Sequence, residues 1–172
     1  MPALEALTAT AQSSSASSHQ KPIRCSVVIA ARDEAARIEQ TIRHLIAQRG
    51  VEIEVIVVDD RSADGTSEIL GRLAKEDARV QVKRVDVLPE GWLGKCHACH
   101  VGVSAATGDW ILFTDADCWL KPEVIARALL VAERDGADHI TMSPGTVIES
   151  PAARLCFSLL TFTKTLKKIF SI

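Results

Sequence analysis

Three observations predict a doubly wound α/β domain with a mostly parallel sheet. Short apolar, β-branched runs alternate with stretches whose apolar residues recur every three to four positions, the pattern of strands joined by helices. The strand runs are nearly continuously apolar, which suits strands covered on both faces. Two runs end in acid pairs, Asp59-Asp60 and Asp115/Asp117, and a third is followed by Asp33-Glu34. In a parallel sheet all these ends lie on the one rim where open α/β folds bind ligands.

Taken in order, Arg24 to Ala31 (RCSVVIAA) reads as the first strand. Asp33 can cap the next helix, in which Ala35, Ile38, Ile42, Leu45 and Ile46 share a face and which ends near Gly50. A second strand, Ile53 to Val58, runs into Asp59-Asp60. After the turn Arg61-Ser62-Ala63-Asp64-Gly65, a helix with Ile69, Leu70 and Leu73 inward reaches about Glu76. Val80 to Val87 alternates apolar with polar and predicts a strand with one wetter face. A loop with Pro89, Gly91 and Gly94 leads to a helix over Lys95 to Ala106, and Trp110 to Thr114 is the next strand. Pro122 suits a first helical position, with the helix continuing over Val124 to Arg134, and Asp138 to Met142 is a fifth strand.

Composition limits the function classes. The chain has 172 residues, 47% apolar and 24% charged, enough for one domain with a real core. A net charge of −2 argues against a general nucleic-acid binder. No run of apolar residues is long enough to require a membrane span. Residues 1–22 are rich in Ala, Ser and Thr and read as a disordered tail rather than a signal, so the cytoplasm is the expected compartment and the five cysteines are expected as thiols. The folded domain is then expected over residues 23–149.

The chemistry concentrates in Phe113-Thr114-Asp115-Ala116-Asp117-Cys118. Two carboxylates separated by one small residue repel each other unless a cation or donors compensate. Mg²⁺ or Mn²⁺ is the usual solution, with substrate phosphates completing the shell. The competing reading is a strand-ending Asp followed by a turn Asp. There is no G-x-G-x-x-G after the first strand and no Walker loop, which weakens dinucleotide and P-loop readings.

The strings SVVIAARDEAARIEQTI, VIVVDDRSADGT and GWLGKCHACHVGVSAATGDWILFTDAD, in this order from about Cys25 to Leu120, resemble the family 2 glycosyltransferases. The resemblance implies the GT-A fold, a Rossmann-like nucleotide-sugar binding domain with a DXD motif that holds a divalent metal against the donor diphosphate. By position it implies that Ala31 and Glu34 line the nucleotide pocket and that Asp59 and Asp60 contact base and ribose. It places Lys95 near the diphosphate, where a point charge suits phosphate oxygens, and assigns Asp115 and Asp117 to ribose and metal. His100 departs from the Asn of many family members. The implied activity is inverting sugar transfer from a nucleotide-sugar donor, with UDP the expected nucleotide. The G-W-x-G-K stretch resembles the branch associated with carotenoid and hopanoid lipids, which implies a lipid acceptor at a membrane surface.

Two other functions compete. A sugar nucleotidyltransferase shares the fold and metal but carries a Gly-rich, basic signature near the first strand that is missing here. Cys96-His97-Ala98-Cys99-His100 matches the C-x-x-C-H of c-type haem attachment, although the cysteines fall three apart on a predicted helix and no export signal is visible. The family's acceptor half, with its acidic base and Q-x-x-R-W motif, has no counterpart after Asp117, so the chain reads as a donor-binding half without an assignable base. At its end Ser150 and Pro151 open a stripe of Leu155, Leu159, Phe162, Leu166, Ile169 and Phe170 beside Lys164, Lys167 and Lys168. Residues 150–172 are therefore expected as an amphipathic helix, either interfacial or packed on its own domain.

Overall fold

The computed structural model describes residues 23–142. Four parallel strands, β1 (Arg24–Ala31), β2 (Glu52–Asp60), β3 (Val80–Val85) and β4 (Trp110–Thr114), alternate with four helices. The helices are α1 (Ile38–Ile46), α2 (Thr66–Glu76), α3 (Gly94–Ala105) and α4 (Val124–Asp135). The sheet order is β3-β2-β1-β4. The chain therefore winds outward from β1 to β3, then crosses back to place β4 on the other side of β1. That reversal makes the carboxyl ends of β1 and β4 a topological switch point, where the connections leave in opposite directions and open a crevice.

The continuous apolar runs of β1 and β2 are buried on both faces, as the sequence predicts. Val27, Ile29, Val55 and Val57 meet Ile38, Ile42 and Leu45 of α1, Leu70 and Leu73 of α2, and Ile125 and Leu129 of α4. The opposite face carries α3, whose Ala98 joins Val58 and Val85. Gly102 lets α3 lie directly on β1, since a Cβ there would fall 2.3 Å from Val28 Cγ1.

Several boundaries differ from expectation. Helix α1 starts at Ile38 with Arg37 as its N-cap, four residues later than a cap at Asp33 implies. Asp33 instead takes a left-handed φ of 56° and binds the neighbouring loop. The helix also stops at Ile46 rather than near Gly50: the Arg49 N–H donates to the Pro122 carbonyl at 2.7 Å, and the buried side chain of Gln48 turns to the same segment. Its amide donates to the carbonyl of Lys121 at 2.8 Å and accepts from the Ile125 N–H at 3.3 Å, fastening the start of α4. Pro122 precedes α4 in a turn instead of opening it. The expected strand over Asp138 to Met142 does not form: a strand exists through its ladder, and this short alternation pairs with nothing among the described residues. The expected tail over 1–22 and helix over 150–172 lie outside the described residues.

Candidate nucleotide-sugar site

The carboxyl ends of β1, β2 and β4 and the first turn of α3 bring most of the predicted residues to one rim. The loops after β1 and β2 are knitted together. The Asp33 N–H donates to Ser62 Oγ at 3.0 Å, and the Ala63 N–H returns a bond to Asp33 Oδ1 at 2.8 Å. The Glu34 N–H donates to Thr66 Oγ1 at 2.9 Å and the Ala35 N–H to Asp64 Oδ2 at 3.0 Å. Asp33 and Arg61, with φ of 56° and 60°, are the non-glycine residues in left-handed conformation among those described. Both lie in these loops, and strain of this kind persists where surrounding bonds over-determine the backbone. The Asp-Ser turn chemistry of RSADGT signals a turn from sequence, but not that it clasps the β1–α1 loop.

The predicted residues have distinct environments. Ala31 is fully buried beside Asp59 in the β1–β2 register, so only its backbone faces the rim. Glu34 is half-buried, and its carbonyl accepts from the Arg37 and Ile38 N–H groups at the start of α1. Asp59 is 1% exposed. Its Oδ1 accepts from the Ser62 N–H at 3.1 Å and its Oδ2 from the Ser67 hydroxyl, so this carboxylate organises the β2–α2 loop. Asp60 accepts from Arg61 through both oxygens, at 2.7 and 3.1 Å, and that guanidinium holds its carboxyl below the ordinary range. Gly94 abuts the same carboxylate: a Cβ on it would lie 2.5 Å from Asp60 Oδ2. Helix α3 can start this close only with glycine there.

From that start Lys95 reaches across to the end of β4, where its ammonium meets Asp115 Oδ1 at 2.5 Å. The hydrogen bond to Asp115 raises the Lys95 pKa. Asp117 faces Arg37, Nη1 to Oδ2 at 3.9 Å. Between the two exposed carboxylates the chain dips inward. Ala116 packs in the core, and its carbonyl accepts a 2.6 Å bond from the buried Thr41 hydroxyl of α1. One ligand atom each from Asp115, Asp117 and Cys118 lie within 4.8 Å of one another. Two carboxylates suit Mg²⁺ or Mn²⁺, and an adjacent thiol favours the softer of the two. The donor set therefore fits a divalent cation.

The sequence assigns no site role to Thr41, Arg37 or Arg61. Each acts through a contact distant in sequence or through an unusual backbone angle, and no local pattern announces it. On α3, the rings of His97 and His100 lie 5.3 and 5.2 Å from Trp92, centroid to centroid. Cys96 is exposed and Cys99 half-buried, and burial raises the Cys99 thiol pKa. The C-x-x-C-H string thus lies on a helix that packs Ala98 against the sheet and its imidazoles against an indole.

A parallel sheet with a switch-point crevice rimmed by acids and a lysine defines the nucleotide-binding α/β class. The glycosyl transferase family 2 model matches residues 26–154, and the chain belongs to that family. It is 32% identical over 144 residues to the 4,4'-diaponeurosporenoate glycosyltransferase of Staphylococcus haemolyticus, covering 81% of this chain and 37% of the relative. Among solved structures it resembles S. aureus TarS 1–349 in complex with UDP-GlcNAc, with TM-score 0.58 and 22% identity, covering 74% of this chain and 37% of that one. It also resembles the mannosyltransferase PcManGT of Pyrobaculum calidifontis in complex with GDP-Man and Mn²⁺, with TM-score 0.55 and 29% identity, covering 64% and 32%. The fold is that of the GT-A glycosyltransferases. The chain spans about a third of the length of these proteins.

Proposed function

We propose that residues 23–142 form the donor-binding part of a metal-dependent, inverting glycosyltransferase that takes a UDP-sugar. The observation that carries this reading is the bridge between Lys95 and Asp115. It joins the start of α3 to the end of β4 and sets a cation beside two carboxylates at the switch point. PcManGT, a neighbour solved with GDP-Man and Mn²⁺, supports a nucleotide-sugar donor and a divalent cation.

Asp117, with Asp115, would hold the cation, which when bound neutralises charge on the departing nucleoside diphosphate. Lys95 places a point charge against the phosphate oxygens. Asp60 and the loop organised by Asp59 face base and ribose, with Glu34 and the Ala31 backbone closing the pocket. Because Thr41 holds Ala116 inward, Asp115 and Asp117 both project outward on the same turn. The displacement itself is made by an acceptor hydroxyl whose proton goes to a base beyond the residues assigned here.

A lipid acceptor suits this site. Val87 and Leu93, 79% and 74% exposed, flank the half-exposed Trp92 in the loop that leads into α3. An apolar loop with a Trp at a polar rim matches the chemistry of a membrane interface. The diaponeurosporenoate glycosyltransferase among the relatives points the same way.

Calorimetry against a panel of nucleoside diphosphates, with and without Mn²⁺, tests the reading. The expected result is UDP binding that depends on Mn²⁺. Binding that is indifferent to both base and metal contradicts it.

A further inference from the structure

Asp115 and Asp117 are each paired with a separate side-chain cation. Lys95 reaches Asp115 from the first turn of α3, and Arg37 reaches Asp117 from the cap of α1. The two cations approach from opposite sides of the turn, and all four side chains are more than half exposed. Exposed pairs of this kind are weak, so a competing cation displaces them at a cost in affinity of no more than about fivefold each.

We propose that Lys95 and Arg37 exchange partners when the site is loaded, leaving the carboxylates to the divalent cation and turning to the donor diphosphate, so that metal and nucleotide bind cooperatively. The inference rests on the assignment of Asp115 and Asp117 to metal and diphosphate. It adds Arg37 as a second diphosphate-binding cation.

Charge balance carries the argument. A divalent cation offsets the two carboxylates and leaves the diphosphate's own charge uncompensated at a rim that also holds Asp33, Asp59 and Asp60. Lys95 and Arg37 are already beside that place, and each loses its partner when a metal takes the carboxylate. A guanidinium suits two phosphate oxygens at once and an ammonium suits one, so the two cations are complementary. Arg61 is not available for this role, because both oxygens of Asp60 engage it. In the metal's absence the same cations compete with it for the carboxylates. Each should therefore weaken binding of metal alone while strengthening binding of nucleotide in the presence of metal, and linkage makes the coupling reciprocal.

The test titrates the full chain with Mn²⁺ alone, following free Mn²⁺ by electron paramagnetic resonance, and then with UDP at saturating Mn²⁺. Lys95→Gln and Arg37→Gln should each bind Mn²⁺ alone about two- to fivefold more tightly than the parent. Both should bind UDP in Mn²⁺ several-fold more weakly. Arg32→Gln is the control for a general field effect, since Arg32 pairs with Asp33 on the same rim. Mn²⁺ affinity that is unchanged in the Lys95 and Arg37 variants, or raised equally by Arg32→Gln, overturns the exchange. Asp117→Asn separates the two levels. If it loses Mn²⁺ while the Gln variants gain nothing, only the exchange fails; if it binds Mn²⁺ like the parent, the metal assignment fails with it.

Discussion

The hydroxyl of Thr41 donates a 2.6 Å hydrogen bond to the carbonyl of Ala116, so helix α1 holds the residue between the two carboxylates at the end of β4. Thr41 is fully buried, and no water can replace its hydroxyl without a cavity. Thr41→Val keeps the shape and orphans the carbonyl, at a cost of about 1–3 kcal/mol in urea unfolding. It should also weaken Mn²⁺-dependent UDP binding, because the turn carrying Asp115 and Asp117 loses its anchor. Thr41→Ser should restore binding more fully than stability. If Thr41→Val binds UDP like the parent, the anchor serves the fold alone.

Gly94 and Asp60 touch so closely that a Cβ on Gly94 would lie 2.5 Å from Asp60 Oδ2. In Gly94→Ala the new Cβ must displace a carboxylate that Arg61 holds at both oxygens, or push the start of α3 outward. Overpacking of this kind costs about 1–3 kcal/mol. Since Lys95 is the next residue, UDP affinity should fall by a larger factor than in Gly71→Ala, where the added Cβ meets nothing within 4 Å. Equal losses in the two variants would show that the close approach has no bearing on the site.

The Arg61–Asp60 pair makes stability depend on pH with a definite sign. Asp60 has its folded-state pKa lowered by the Arg61 hydrogen bonds. Its contribution is therefore fully present above the unfolded value of about 4 and is lost as pH falls through the folded value. Arg61→Gln should lower the urea midpoint at pH 7, and the gap to the parent should narrow as pH falls below about 4. A gap that is constant across that range would mean that Arg61 acts through packing alone.

Much of this site could be read in the sequence because its parts are local. The strand ending in Asp115, the acids after β2 and the lysine opening α3 are each marked by short patterns, and β4 spans Trp110 to Thr114 as expected. The order of the motifs supplied the family. What escaped was long-range or conformational. Asp33 has the chemistry of a cap, yet its left-handed backbone and the Ala63 N–H draw it into the neighbouring loop. Gln48 looks like one more helical residue until Lys121 and Ile125 arrive at the start of α4. The alternation at Asp138 to Met142 has the strand period but no partner strand among the described residues, and period alone does not make a ladder. The C-x-x-C-H string is the opposite case: its spacing is also that of one turn of the helix expected there, and α3 uses it as such.

The central claim is that Asp117 holds a divalent cation against the donor diphosphate. The most direct test compares UDP affinity of the parent and of Asp117→Asn, each measured in Mn²⁺ and in EDTA. The account predicts that the substitution weakens binding in Mn²⁺ by tenfold or more, on the order of the energy of a charge-assisted contact, and changes it little in EDTA. Equal affinities of the two proteins in Mn²⁺ would contradict it.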